Sequence, residues 1–169
     1  MKKEEIIAAL GMEPLTGEGG MWKKMFRSDE PLPDGLFPAR KGPHVLYGSI
    51  LYLLTRESFS RMHRLPTDEI WHFYLGATCE TLVLCPDGTG YVNLLGHDIL
   101  HGERVTALVP RHCWQGTRIV GAGEWALLGT TMAPDYEQID YEDGTEALLA
   151  EYPSFSDALR PLLGAPRAE

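Results

Sequence analysis

The sequence predicts an all-β protein, a sandwich or barrel with short helices at its two ends. Three observations carry this prediction. Strand-like segments recur at a spacing of roughly 8–12 residues between positions 44 and 132. A strong hairpin signal, Pro86-Asp87-Gly88-Thr89-Gly90, sits among them. Helix-like periodicity is confined to the first ten residues and to the region beyond Pro134.

Residues 1–10 read as a helix with Ile6, Ile7 and Leu10 on one side and Gly11 as its stop. The stretch 17–42 is rich in Gly and Pro, interrupted by a strand-like hexamer at 21–26. Strands follow at 44–54, 69–75, 81–84, 91–95, 104–109, 115–120 and 125–132. Two helices are expected at 145–151 and 156–163, with Thr145 and Ser156 placed to cap them, and the tail after Gly164 is expected to fray. With 169 residues and no internal repeat, one domain is expected: an N-terminal helix (1–16), a β-barrel (17–134) and a C-terminal helical extension (135–169).

Composition narrows the function. The chain carries 15 basic and 24 acidic residues, net −9, a field that repels a phosphate backbone, so no nucleic-acid partner is expected. No apolar run is long enough to span a bilayer, and Met1-Lys2-Lys3-Glu4-Glu5 is too charged to open a signal peptide. No membrane partner and a cytoplasmic location are therefore expected. Cys79, Cys85 and Cys113 form no C-x-x-C pair and read as buried free thiols.

The most informative stretch runs from Phe59 to Gly76. It holds His63, then Glu69, then six residues and Gly76. A second stretch follows the hairpin: Pro110-Arg111-His112-Cys113-Trp114-Gln115. Together, in this order, they resemble the two motifs of the cupin superfamily. With Glu18-Gly19-Gly20, Phe26-Arg27-Ser28, Asp68-Glu69-Ile70-Trp71-His72-Phe73-Tyr74 and Ala133-Pro134, the chain is similar to the Cupin_5 family over residues 5–155. That resemblance implies a jelly-roll cupin barrel, commonly a homodimer, and implies little about a reaction. A jelly roll also leaves sheet edges that a second copy would cover.

In metal-binding cupins two His, one Glu and a later His converge on a divalent ion. Here Leu65 stands at one His position and Gln115 at another, and neither is a good ligand for a transition metal. No cofactor is therefore expected. The alternative is a metal-dependent enzyme in which His63, Glu69 and Gln115 hold a divalent transition metal. Without the metal, the barrel interior becomes a pocket for a small polar or sugar-like molecule, with Arg61, His63, Glu69, Trp71, Phe73 and Gln115 as its candidate binding residues. His63 and Glu69 are the candidate catalytic pair, in an isomerase- or epimerase-type proton transfer. Burial beside Trp71 is expected to raise the Glu69 pKa. A non-catalytic metabolite-binding module is a further alternative.

Other charged residues receive lesser roles. Arg61 and Arg64 are read as an anion clamp or as surface ion pairs, and Lys23 and Arg27 as one face of a strand. His72 is expected on the face opposite Glu69, and His97 and His101 in solvent.

Overall fold

A computed structural model describes residues 1–33, 35–37 and 42–164. The tail beyond Gly164, expected to fray, lies outside the described residues. The chain opens with helix α1 (Lys3–Leu10), which Gly11 ends in the left-handed conformation at φ 61°. Strands β1 (Glu13–Pro14) and β2 (Met21–Arg27) follow, then β3 (Gly48–Thr55), β4 (Ser60–Arg64), β5 (Glu69–Gly76), β6 (Cys79–Leu84) and β7 (Gly90–Leu95). Strands β8 (Thr106–Val109), β9 (Trp114–Ile119), β10 (Trp125–Met132) and β11 (Glu142–Asp143) complete the sheets, and helices α2 (Leu148–Glu151) and α3 (Ser156–Leu163) end the chain.

The strands form two antiparallel sheets, ordered β1-β2-β3-β10-β5-β8 and β11-β4-β9-β6-β7. Their inner faces enclose one core, in which Tyr52, Leu54, Trp71, Phe73, Val83, Leu95 and Leu128 meet. This is a jelly-roll barrel. β5 shows the underlying alternation most plainly: Glu69, Trp71 and Phe73 are buried, while Ile70 and Tyr74 are exposed and His72 half-buried.

Both sheets are also covered from outside. Ile6 of α1 packs with Met12, Met21, Leu53 and Leu127, which explains why β3 lacks clean alternation: its two faces both meet apolar neighbours. On the second sheet, Met62, Leu82 and Trp114 are roofed by Leu148, Tyr152, Leu159 and Leu162. Gly116 lies under α3, where a Cβ would stand 3.1 Å from Leu162.

Several expected boundaries shift. The strand expected from 44 begins at Gly48, because 42–47 is a loop that forms an isolated bridge between Val45 and Pro31 and no extended ladder. The strand expected from 104 begins at Thr106. Neither hydroxyl expected to cap a helix does so. α2 starts at Leu148 with Ala147 in the cap position, and the Ser156 hydroxyl donates to the Pro153 carbonyl at 2.9 Å.

Leu159 is fully buried under the second sheet. Replacing it with Ala removes about 2–4 kcal/mol of stability in denaturant titrations. A loss below about 1 kcal/mol would mean that α3 is an appendage and not part of the core.

Candidate functional site

A cavity of about 250 Å³ opens between the sheets at one end of the barrel. Among the acid–base side chains that line it, Glu18 comes from the loop before β2, His63 from β4, Glu69 from the start of β5, Lys24 from β2 and Asp135 from beyond β10. Trp22, Tyr52 and Tyr136 supply aromatic faces, and Leu65 fills the place beside His63.

The His63 ring is almost completely buried. Its Nδ1 lies 2.7 Å from the Arg61 carbonyl oxygen, which can only accept, so Nδ1 donates. In the neutral ring this leaves Nε2 as the bare, basic nitrogen. The ring stacks on Tyr141, with centroids 5.1 Å apart and planes at 17°.

Glu69 is held by a relay. The Trp71 indole Nε1–H donates to Gln115 Oε1 at 2.8 Å, and the Gln115 amide NH2 donates to Glu69 Oε2 at 2.5 Å. Burial pushes the Glu69 carboxyl above its ordinary range, opposed by the nearby His63 and reinforced by the Glu18 charge. The expectation of a raised pKa thus has its physical cause in the structure.

Glu18 is a cavity residue that the sequence does not single out. It sits between Gly17, Gly19 and Gly20, all at positive φ, in a turn that folds back under β3. A Cβ at Gly20 would stand 2.7 Å from the Tyr52 ring, and the Tyr52 hydroxyl donates to the Gly19 carbonyl at 2.6 Å. That close approach turns Glu18 inward, where the Ser60 hydroxyl donates to its carboxylate at 2.7 Å. Glu18-Gly19-Gly20 was visible as a motif, but nothing in its spacing assigned the carboxylate to the cavity.

An acidic strap, residues 135–143, crosses the cavity mouth in the region read as the start of a helical extension. Its Asp135 meets Lys24 at 3.2 Å and Arg27 at 2.8 Å, and Glu137 meets Arg27 at 2.7 Å. Asp140 accepts from buried His44 at 2.8 Å, Glu142 pairs with Arg64 at 2.7 Å, and Asp143 with Arg61 at 3.3 Å. Within it, β11 pairs with β4, placing Asp143 opposite His63. Gly48 makes room for the latch: a Cβ there would lie 1.7 Å from Asp135 Oδ1.

The other expected residues separate accordingly. Trp71 and Phe73 belong to the inner core, and Gln115 lies behind Glu69. The guanidiniums of Arg61 and Arg64 pair with the strap, the latter also stacking 4.5 Å over Trp114, while the buried Arg61 Nε has no hydrogen-bond partner among the described residues. Lys23 does not share its face with Arg27. A bulge in β2 between Lys24 and Phe26 reverses the alternation, and Lys24 joins Arg27 at Asp135 instead. His72 bonds Thr131 at 3.0 Å on the outer side of β5. His97 meets the edge of Phe73, and His101 is exposed beside Asp98.

The donors do not fit a transition metal. Leu65 offers none, and Gln115 turns its oxygen to an indole that can only donate, leaving N–H groups toward Glu69. Among the described residues no group of three or more His, Cys, Asp or Glu is arranged to hold a metal ion.

The family model for the cupin superfamily (DUF985), Cupin_5, matches residues 4–143. The chain belongs to the Cupin_5 family. A protein from Shewanella oneidensis superposes on this cupin with a TM-score of 0.82 at 30% identity, covering 99% of each chain. A hypothetical protein from Leishmania major gives a TM-score of 0.85 at 24% identity, over 96% of this chain and 98% of the other. A cupin 2 conserved barrel domain protein from Rhodopseudomonas palustris shares the fold, with a TM-score of 0.58 at 9% identity over 89% and 85% of the two chains. No functionally curated protein matches the cupin. Among the described residues no helix is long and apolar enough to cross a membrane.

The raised Glu69 pKa has a measurable consequence. The folded state holds that proton more tightly than the unfolded chain, so it binds more protons between the two titration points, and stability falls as pH rises through the folded value. Glu69→Gln keeps an acceptor for Gln115 and removes the titration. Its melting temperature relative to wild type is expected to climb by a few degrees between pH 5 and pH 8. A constant difference over that range would contradict the raised pKa.

Proposed function

We propose that this cupin binds a small, uncharged, hydroxyl-bearing molecule of sugar type in the barrel cavity. His63 then moves a proton on it without a metal, as an isomerase or epimerase requires. The observation that carries the reading is the pairing of a His63 Nε2 left without a proton by its tautomer with the buried Glu69 carboxyl, whose pKa burial raises, in one partly aromatic cavity.

The charges support an uncharged ligand. The Glu18 and Asp135 carboxylates line the cavity, while the lining cation Lys24 is held by Asp135. A phosphorylated ligand would therefore meet carboxylates without a free counter-charge. Hydroxyl groups instead donate to those carboxylates, and Trp22, Tyr52 and Tyr136 offer surfaces for the C–H faces of a sugar ring. A cavity of about 250 Å³ is small for a drug-sized ligand and suits a single ring.

In such a reaction His63 Nε2 takes the proton from the carbon beside a carbonyl group. The C–H electron pair moves to the carbonyl oxygen, and the Glu69 carboxyl proton stabilises the oxyanion or transfers to it. Once Glu69 has protonated the oxyanion, the His63 proton returns to the former carbonyl carbon. The neighbouring hydroxyl gives its proton to the Glu69 carboxylate and becomes the new carbonyl, which completes an isomerisation. Delivery of a proton from the opposite face gives an epimer. The Tyr136 hydroxyl at the cavity wall, kept protonated by burial and surrounding carboxylates, would turn from Gln138 Oε1, to which it donates at 2.8 Å, to supply it. Solvent then reprotonates Tyr136 and takes the His63 proton.

A thermal-shift screen of monosaccharides and their phosphate esters tests the ligand, and solvent-deuterium incorporation into each hit tests the chemistry. A free sugar is expected to stabilise the protein by a few degrees, with its phosphate ester no better. Wild type is expected to exchange one C–H for deuterium, and His63→Ala to do so at least about 100-fold more slowly. Tighter binding of the phosphate esters would contradict the charge argument. A hit that binds in a His63-dependent way but exchanges no deuterium would make the protein a binding module.

A further inference from the structure

The three cysteines are free thiols, as expected, and two of them face each other. Cys113 Sγ lies 3.1 Å from Cys85 Sγ, with no covalent bond between them. The backbone explains the approach. β6 and β9 pair antiparallel with Leu84 opposite Trp114, so the next step beyond each strand end brings Cys85 opposite Cys113. Directly opposed residues on antiparallel strands have Cα atoms about 4.5–5.5 Å apart, inside the range a disulfide spans. Side-chain rotation that moves each sulfur by about 0.5 Å is then all that closure needs.

We propose that Cys85 and Cys113 are an oxidative modification site, which a hydroperoxide or a small-molecule disulfide converts to an intramolecular disulfide. The two thiols have unequal roles. Cys85 is half-buried at the mouth of the β6–β7 hairpin, whereas Cys113 is nearly inaccessible and donates its S–H to Cys85. The Cys85 sulfur is therefore the one an oxidant reaches. With hydrogen peroxide, the Cys85 thiolate attacks one peroxide oxygen, the O–O bond breaks, and hydroxide leaves and takes up a proton to become water. Cys113 sulfur then attacks the Cys85 sulfenic sulfur; the S–O bond breaks, and the hydroxyl departs as water with the Cys113 proton. Two thiols and one peroxide give one disulfide and two waters.

The third thiol is an internal control. Cys79 is fully buried, with the Ala77 carbonyl as its acceptor at 3.7 Å, and burial pushes its pKa up to about 12. Cys113 is also pushed up to about 12, by burial and by its bond to Cys85. Thiolate is scarce at neutral pH for both, so Cys79 is expected to stay unreacted, and ring closure by Cys113 should accelerate as pH rises.

The full chain is treated with hydrogen peroxide or oxidised glutathione under native conditions, then denatured for thiol counting, intact mass and non-reducing peptide mapping. Expected are a fall from three free thiols to one, a mass loss of two hydrogens, and a peptide joining Cys85 to Cys113. A reductant should reverse all three. Cys85→Ser and Cys113→Ser should each abolish the mass loss. The cross-link should raise the melting temperature by roughly 5–10 °C, an effect reversed by reduction and absent from both variants. Retention of three thiols under conditions that oxidise a free dithiol would overturn the proposal. So would oxygen addition at Cys85 without a cross-link, or disulfides between molecules only.

Discussion

One hydrogen bond constrains the chemistry of the barrel interior. The Trp71 indole can donate and cannot accept, so the amide oxygen of Gln115 must face it, and the amide NH2 must face Glu69. Gln115 thus presents protons to the cavity wall where a metal ligand would present a lone pair. The same bond makes Glu69 an acceptor with a fixed partner, in a place where burial already favours its protonated form. Trp71 itself is immobilised by Tyr52, with ring centroids 5.9 Å apart. The relay is therefore anchored in the core and does not depend on mobile loops.

The cavity is closed from the other side by charge. The strap from Asp135 to Asp143 carries Asp135, Glu137, Asp140, Glu142 and Asp143, and each meets a basic side chain of the barrel or its flanking loop. Exposed pairs of this kind contribute little individually. Asp135 and Asp140 differ, because both are nearly excluded from solvent, and Asp135 has two cationic partners. The consequence for function is that Arg27, Arg61 and Arg64 are committed to holding the strap. The negative charge of the chain thus extends to the cavity, which the Glu18 and Asp135 carboxylates line.

Much of this architecture was legible in the sequence, because strand alternation and turn chemistry act locally. β5 reads directly as buried and exposed positions, and the 85–89 turn closes as its residues dictate, with Asp87 accepting from the Thr89 N–H at 3.0 Å. α3 spans the residues that its periodicity predicts. What escaped is non-local. The β2 bulge moves Lys24 into the place that simple alternation gives Lys23, and alternation holds no information about an inserted residue. The strap has no hydrophobic period, and its conformation comes from partners over 70 residues away along the chain, as for Arg64 and Glu142. Glu18 reaches the cavity through three positive-φ glycines, a path set by the Tyr52 contact. His63 and Glu69 were legible as cavity residues because a motif fixed their positions; Gln115 was legible as a position and not as an orientation.

Isothermal calorimetry with Mn²⁺, Ni²⁺ and Zn²⁺ tests directly whether two side chains convert a metal site into a proton-handling one. Wild type is expected to take up no stoichiometric metal at micromolar concentrations. Leu65→His/Gln115→His, which restores imidazole donors beside His63 and Glu69, is expected to bind one ion per chain at least about 100-fold more tightly. One ion per wild-type chain at micromolar concentration, lost in His63→Ala, would contradict the orientation of Gln115 and the metal-free chemistry built on it.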